Sequence, residues 1–174
     1  MGKNIIIDGV AVNNCSVIKV KDNETGNYIE YSDKLSLLDY LKGNFTKLTK
    51  EDFGNATKIP KYFFMNNKKL TEVELGDNII EVGYAAFYNC SNIQKIVIPE
   101  SVTTFGSQCF DTEHQNMVVR FLSSTPPEYE YFYATFTGNS DIPLTFEVPE
   151  GSYDVYRNAI PVDNIIIVEY QVEE

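Results

Sequence analysis

Apolar side chains recur along the middle of the chain with a period of 23 residues. Three segments align at this period, and they cover residues 59–79, 82–102 and 105–125. Phe64, Phe87 and Phe110 occupy the same position in these segments, so their rings are expected to stack in one buried column. A repeat of this length cannot bury its own apolar face, and copies must therefore stack on one another. The pattern predicts a solenoid.

Each repeat contains a short stretch in which apolar and polar residues alternate. Strands are predicted at residues 72–75, 95–98, 118–121 and, in a longer fourth unit, 145–148. Alternation with a period of two sends residues such as Val73 into the core and leaves residues such as Glu72 outside. The pieces "VGYAAF" and "FGSQCF" are expected to form a short turn or irregular coil, in which Gly83 and Gly106 allow a bend.

The first third of the chain has a different character. Residues 4–8, 16–22 and 27–31 read as short strands separated by turn residues, which predicts a small antiparallel sheet. A helix of about ten residues is predicted between a cap at Ser32 or Asp33 and Gly43. Residues 45–57 are interpreted as the connection into the repeats. The predicted units are an attachment or capping module at 1–56 and a repeat domain at 57–174.

The stretch "VGYAAFYNCSNIQKIVIPESV" (82–102) resembles the repeat of the BspA-like leucine-rich-repeat family. Good repeats of this kind cover residues 57–125, and "VPEGSYDVYRNA" (148–159) resembles the segment that closes such arrays. The resemblance implies a short curved solenoid used for binding, usually on bacterial or protist surfaces, with no catalytic residues. The expected fold is mainly β with short helices: a leucine-rich-repeat solenoid preceded by a small antiparallel β unit and one helix.

The N-terminal stretch "IIIDGVAVNNCSVIKVKDNETGNYIEY" resembles, more weakly, the opening segment of bacteriophage structural proteins. That resemblance implies a capsid- or tail-associated virion component that displays the repeats. The alternative is a bacterial surface or host-interaction protein that binds protein or glycan ligands. No signal peptide is visible, and the apolar runs are far shorter than the roughly 18 residues of a membrane span. The expected location is a virion, or otherwise the cell surface or extracellular space.

Charge is distributed unevenly along the chain. The net charge is −11, and residues 126–174 carry 10 acidic side chains and a single basic one, Arg157. Such a surface repels phosphate backbones, so nucleic acid is not expected as a partner. The acidic third favours either a basic protein partner or a role in solubility alone, and solubility is the simpler interpretation.

Residues that could carry chemistry are sparse. Cys15, Cys90 and Cys109 form no paired motif, and His114 is the single histidine, so no disulfide framework, metal site or cofactor is predicted. Cys90 and Cys109 are interpreted as packing residues. Phosphate-loop, nucleophile-elbow and zinc-protease motifs are absent, and the chain is predicted not to be an enzyme.

Aromatic residues concentrate in "PPEYEYFYATF" (126–136), directly after the regular repeats. In one interpretation these rings cap the open end of the solenoid core. In the other, the tyrosines lie nearer solvent and recognise protein or sugar. The candidate binding residues are then the three tyrosines and three polar side chains on neighbouring strand exteriors: Tyr129, Tyr131, Tyr133, Lys95, Arg120 and Glu147. Protein partners are expected, glycan ligands and homo-oligomerisation being left open.

Overall fold

The computed structural model describes residues 45–110, 117–129, 144–160 and 165–172, together with the backbone of four short strands in the first third of the chain. These strands are β1 (Ile5–Ile7), β2 (Val10–Val12), β3 (Ile18–Lys21) and β4 (Tyr28–Tyr31). They form two antiparallel pairs, β1 with β2 and β3 with β4. The predicted strands are present, with β2 as an addition, but they form two separate two-stranded sheets rather than one. The predicted helix ending near Gly43 lies outside the described residues.

Ten further strands build the repeats. They are β5 (Lys47–Leu48), β6 (Lys58–Ile59), β7 (Glu72–Glu74), β8 (Glu81–Val82), β9 (Lys95–Ile98), β10 (Thr104–Phe105), β11 (Val118–Phe121), β12 (Glu128–Tyr129), β13 (Leu144–Pro149) and β14 (Ile165–Tyr170). Strands from successive repeats pair in parallel, as stacking of a repeated unit requires. The predicted fold class, a mainly β leucine-rich-repeat solenoid, is confirmed.

The larger sheet has six strands in the order β14-β13-β11-β9-β7-β5. Its central strands β9 and β11 cover the predicted residues, and β7 and β13 differ from prediction by one or two terminal residues. Side chains alternate as expected, because Ile96 and Val119 are buried while Lys95 and Arg120 lie on the outer face. This outer face is the side of the sheet that a partner can reach.

The second sheet, with the order β12-β10-β8-β6, was not predicted. Each of its strands has two residues, so no alternation of apolar and polar residues marks it in the sequence. Ile59, Val82 and Phe105 share one register position and are fully buried. The two sheets therefore enclose the core between them, one strand from each repeat in each sheet.

Turns between the two sheets stack in the same way. The amide of Phe64 donates to the carbonyl of Ala86 at 2.8 Å, and the amide of Phe87 donates to that of Cys109 at 2.8 Å. Gly106 is required by close approach of these layers rather than by a bend, because a Cβ atom there would lie 2.5 Å from the backbone nitrogen of Tyr84. The turn backbone thus forms a third hydrogen-bonded ladder along the solenoid.

The core begins before residue 57. Leu48 on β5 and Phe53 in the 3₁₀ helix Lys50–Phe53 are buried in the same apolar cluster as the repeats. Residues 45–57, interpreted from sequence as a connection, therefore add a layer at the N-terminal end. At the other end, the helix α1 (Tyr153–Ala159) buries Tyr156, whose hydroxyl donates to the carbonyl of Ser123 at 2.9 Å. Whether residues 1–56 act as a separate unit stays a prediction.

Candidate functional site

The outer face of the six-stranded sheet changes character from one end to the other. On β5 and β7 the outward residues are charged, and Lys47, Glu72 and Lys95 form a row of alternating sign in direct register, while β9 also turns Val97 outward. Lys47 and Glu72 form an ion pair, and the lysine lowers the pKa of Glu72 through a hydrogen bond and through its charge. These exposed charges satisfy one another and remain in water, so this end carries little apolar contact area.

On β11, β13 and β14 the outward residues are mostly apolar or uncharged. We call this region the C-terminal sheet face, and it comprises Val118, Arg120, Thr145, Glu147, Ile166 and Val168. Ile166 and Val168 are 49% and 46% exposed, which is high for β-branched aliphatic residues within a sheet. Contiguous apolar side chains on an exposed surface mark interaction sites more often than singly scattered ones do.

A polar cluster fixes the middle of this face. Arg120 and Glu147 lie opposite each other on adjacent strands and form an ion pair. The guanidinium carbon of Arg120 lies 4.7 Å from the centre of the Tyr170 ring, within the range of a cation–π contact. The Tyr170 hydroxyl donates to the carbonyl of Phe121 at 2.9 Å. Three side chains from three strands thus hold one another in place.

Burial raises the pKa of Tyr170, because the ionised phenolate would lose hydration there. The positive charge of Arg120 opposes this shift, whereas the carboxylates of Glu147 and Glu100 add to it. The hydroxyl is therefore protonated at neutral pH and serves as a hydrogen-bond donor. Tyr170 acts in this cluster as a fixed aromatic platform and not as an acid or base.

A cleft opens beside the C-terminal sheet face. Its volume is about 640 Å³, and it is lined by Glu100, Arg120, Leu122, Ser124, Pro149, Tyr170, Gln171 and Val172. Leu122 and Val172 are 37% and 63% exposed and provide apolar walls, while Arg120 and Glu100 provide opposite charges. The cleft and the C-terminal sheet face share Arg120 and form one continuous surface.

The six residues proposed from the sequence fall into two groups. Lys95, Arg120 and Glu147 lie on the same outer face, where Arg120 and Glu147 are paired and Lys95 stands in register between Glu72 and Val118. Tyr129 belongs to β12 in the other sheet, where its backbone pairs with that of Phe105. Tyr131 and Tyr133 lie outside the described residues, so their place on a binding surface stays a prediction.

Sequence reasoning missed Tyr170, Leu122 and the cleft. The signal for β14 was present in "IIIVEY", a run of β-branched residues ending in an aromatic residue, which is typical of a strand. Leu122 directly follows β11, and the alternation of that strand places it next to outward-facing Arg120. The contact between Arg120 and Tyr170 could not be read from the sequence, because the two residues are 50 positions apart.

The two cysteines of the repeats are buried in the core. Burial raises the pKa of Cys90 to about 12, and it raises that of Cys109 well above its ordinary value. The Cys90 thiol donates to the carbonyl of Phe64 at 3.0 Å. Both thiols are thus protonated and enclosed at neutral pH, which agrees with their interpretation as packing residues.

Metal ligands do not cluster in the described part of the chain. Among residues 45–110, 117–129, 144–160 and 165–172, no group of three or more histidine, cysteine or carboxylate side chains lies close enough to bind a metal ion. Within these same ranges, no helix has both the length and the apolar character needed to cross a bilayer.

Comparison with known proteins places the repeats in a family. The model of the BspA type leucine rich repeat region matches residues 40–158 in six copies. The chain belongs to this family. The matched region is wider than the 57–125 expected from the sequence, and it includes both the N-terminal layer with β5 and nearly all of the closing segment. The resemblance inferred from "VGYAAFYNCSNIQKIVIPESV" is thereby confirmed.

Among solved structures, the chain is similar to the crystal structure of the pneumococcal vaccine antigen PcpA. The match covers 82% of this chain at 14% sequence identity, with a TM-score of 0.35. It covers 46% of the PcpA chain, so the present sequence spans less than half the length of that structure. No match was found among curated proteins.

Proposed function

We propose that this protein is a non-enzymatic interaction module that binds a protein partner through the C-terminal sheet face and the adjoining cleft. The observation that carries the proposal is the change along one continuous sheet from mostly charged outward residues at β5, β7 and β9 to exposed aliphatic side chains around a fixed arginine. A solenoid presents such a sheet as an extended surface suited to binding.

The composition of the face favours a protein as the partner. Protein interfaces combine an apolar centre, enriched in aromatic residues and arginine, with a polar rim. Ile166 and Val168 supply aliphatic contact area, and Tyr170 and Arg120 supply the residue types that most often dominate binding energy. The paired charges of Lys47 and Glu72 then lie at the far rim. A glycan ligand would instead be expected to rely on the tyrosines at 129, 131 and 133.

The cell surface or the extracellular space is the proposed location, since surface display is usual for the repeats that this chain resembles. The finer prediction of a virion component rests on the N-terminal stretch alone. Mass spectrometry of purified phage particles tests it, and absence of the chain from intact particles would favour a bacterial surface role. Residues 1–56 are proposed as the attachment segment in either setting.

Site-specific photo-cross-linking tests the proposed surface and does not require the partner to be identified beforehand. A photoreactive phenylalanine analogue at Thr145 lies in the centre of the C-terminal sheet face, and the same analogue at Glu74 lies on the same side of the same sheet at its charged end. We expect discrete protein adducts from position 145 in surface extracts of the source cells, and none of these from position 74. Equal adducts from both positions, or none from 145, would contradict the proposal.

A further inference from the structure

The two edges of the six-stranded sheet differ in how they are protected. Native sheets usually shield an exposed edge by a short strand, lysine, proline or a bulge. β5 follows this rule, because it has two residues and one of them is Lys47. β14 has six residues, Ile165–Tyr170, in continuous register with β13, and contains neither lysine nor proline. The strand β14 itself thus carries none of these protective features along its length.

The hydrogen bonds of β14 show which of its backbone groups face outward. The amide of Glu150 on the β13 side donates to the carbonyl of Tyr170 at 3.0 Å, so the backbone of Tyr170 faces β13. Successive residues of a strand alternate in the direction of their N–H and C=O groups. Ile165, Ile167 and Glu169 therefore turn these groups away from β13, and no described strand pairs with that side.

Glu169, the one charged residue of β14, does not point its carboxylate along the free edge of the sheet. The carboxylate of Glu169 accepts a hydrogen bond from the amide of Tyr153 at 2.8 Å, at the start of α1. It is thus turned toward the helix of its own chain. The other side chains of the strand are aliphatic or aromatic, and Ile167 packs partly against the core. An added strand would meet apolar neighbours on both faces of the sheet.

We propose that β14 pairs antiparallel with β14 of a second copy of this chain, so that one sheet runs across a two-fold dimer. Outward-turned groups must meet each other, and the register that pairs all three outward-turned residues of both strands places Ile167 opposite Ile167 of the second copy at the axis. In that register Ile166 stands opposite Val168 of the second copy on the outer face. The aliphatic residues Ile166, Ile167 and Val168 are therefore paired with one another, while Ile165 stands opposite Glu169.

The asymmetry of the two edges argues for a second copy joined in this way. Pairing of β14 with β5 of the next molecule would build an open filament, but β5 offers two residues and a charged side chain. A two-fold contact is closed, because each copy covers the unprotected edge of the other and the protected β5 edges point outward. The outer sheet face stays accessible in the dimer, so this inference does not depend on the proposed binding function.

Charge makes the dimer sensitive to salt. Each copy carries a net charge of −11, so two copies repel each other at low ionic strength. Added salt screens this repulsion while leaving the strand pairing unchanged. We expect the dimer dissociation constant to fall as sodium chloride rises from low to physiological concentration.

Sedimentation equilibrium of the full chain tests the proposal. The native protein is expected to reach twice its mass of 19.8 kDa at high concentration. Ile167→Lys places like charges opposite each other at the axis and is expected to remain at the mass of one chain. Val155→Lys is the matched control, since Val155 is 46% exposed on α1 and the change of charge is the same. This control is expected to dimerise as the native protein does.

Ile167→Pro is the second variant, because it removes an outward N–H without breaking a bond to β13. Circular dichroism melts of each variant are the control that tests whether it is folded. Hydrogen exchange on the native chain gives an independent measurement, with slower exchange at Ile167 in concentrated than in dilute protein. The proposal would be overturned if the native protein stayed at the mass of one chain or formed filaments. It would equally be overturned if both Ile167 variants dimerised as well as the native protein.

Discussion

The rings of Phe64 and Phe87 stack with their centres 5.0 Å apart and their planes 16° from parallel. Phe110 continues the stack on the other side of Phe87 at 5.4 Å and 14°. The three rings are buried, and the column predicted from their spacing is confirmed. Each of these three repeats thus contributes one ring, and the rings pack on one another from layer to layer.

Replacing the central ring tests how far this column supports the fold. Phe87→Ala is expected to lower the free energy of unfolding by about 3–5 kcal/mol, because it removes a large buried side chain that packs on both neighbours. Tyr153→Ala is the control, since Tyr153 is 45% exposed. Urea denaturation measures both. A Phe87→Ala protein as stable as the control would contradict the layered core.

Glycine between the layers gives a second prediction. Gly106→Ala would bring a Cβ within 3.0 Å of three backbone atoms of the neighbouring turn, so the layers must separate. We expect a loss of about 1–3 kcal/mol in stability, as for overpacked cores. Gly151→Ala has open space around it but a φ of +78°, and is expected to cost about 1 kcal/mol through backbone strain alone. A smaller loss at Gly106 than at Gly151 would count against close approach of the turns.

The buried thiol of Cys90 makes stability depend on alkaline pH. Its pKa is raised in the folded state from 9.0 to about 12, so its contribution is complete below pH 9 and is lost as pH rises toward 12. Between pH 9 and 10 the loss is expected to be about 1 kcal/mol for this thiol, because the unfolded thiol is already half ionised at pH 9. Denaturation of the native protein and of Cys90→Ala at both pH values measures it, with a smaller decline expected in the variant. Equal declines would show that Cys90 does not contribute.

Truncation tests where the repeat core begins. A chain of residues 45–174 retains Leu48 and Phe53, whose apolar side chains cover the first full repeat. A chain of residues 57–174 loses them and exposes Phe64, which contacts Phe53 at 6.5 Å between ring centres. We expect the shorter chain to melt at a clearly lower temperature. Identical melting of the two chains would instead favour the predicted boundary after residue 56.

Sequence predicted those parts of the fold in which the repeat period and strand alternation act together. Val73, Ile96 and Val119 recur at 23-residue spacing and alternate with polar neighbours, so the predicted bounds of β7, β9 and β11 agree with the structure to within a residue or so. The two-residue strands of the second sheet carry no alternation. β14 lies outside the repeat period, and its alternation is masked because apolar residues occupy both faces of the strand.

The candidate site was predictable only in part for the same reason. Alternation placed Lys95, Arg120 and Glu147 on the outer face correctly, because Arg120 and Glu147 stand between buried neighbours and Lys95 precedes the buried Ile96. The contact of Arg120 with Tyr170 depends on the pairing of β13 with β14, which local pattern does not encode. Local alternation therefore predicts the face, whereas its aromatic platform arises from the pairing of distant strands.

The tyrosines after the repeats remain a prediction of their own. If Tyr131 and Tyr133 recognise a protein or a sugar, their joint replacement by serine should abolish partner binding and change the melting temperature little. Calorimetric melting and binding of the same protein sample separate the two effects. A large loss of stability with no separate binding defect would show that these rings cap the solenoid core.

The surface around Arg120 is proposed as the place where a protein partner binds, and a matched pair of substitutions decides whether it does. Leu122 in the cleft is 37% exposed, and Met65 on the stacked turns is 39% exposed, so Leu122→Glu and Met65→Glu change charge and apolar area alike at two different places. The measurement is the dissociation constant, by titration calorimetry, for the partner cross-linked from position 145. We expect Leu122→Glu to weaken binding at least about tenfold, which corresponds to about 1.4 kcal/mol, and Met65→Glu to leave it unchanged. Equal binding by both variants, or a loss confined to Met65→Glu, would contradict the assignment of this surface.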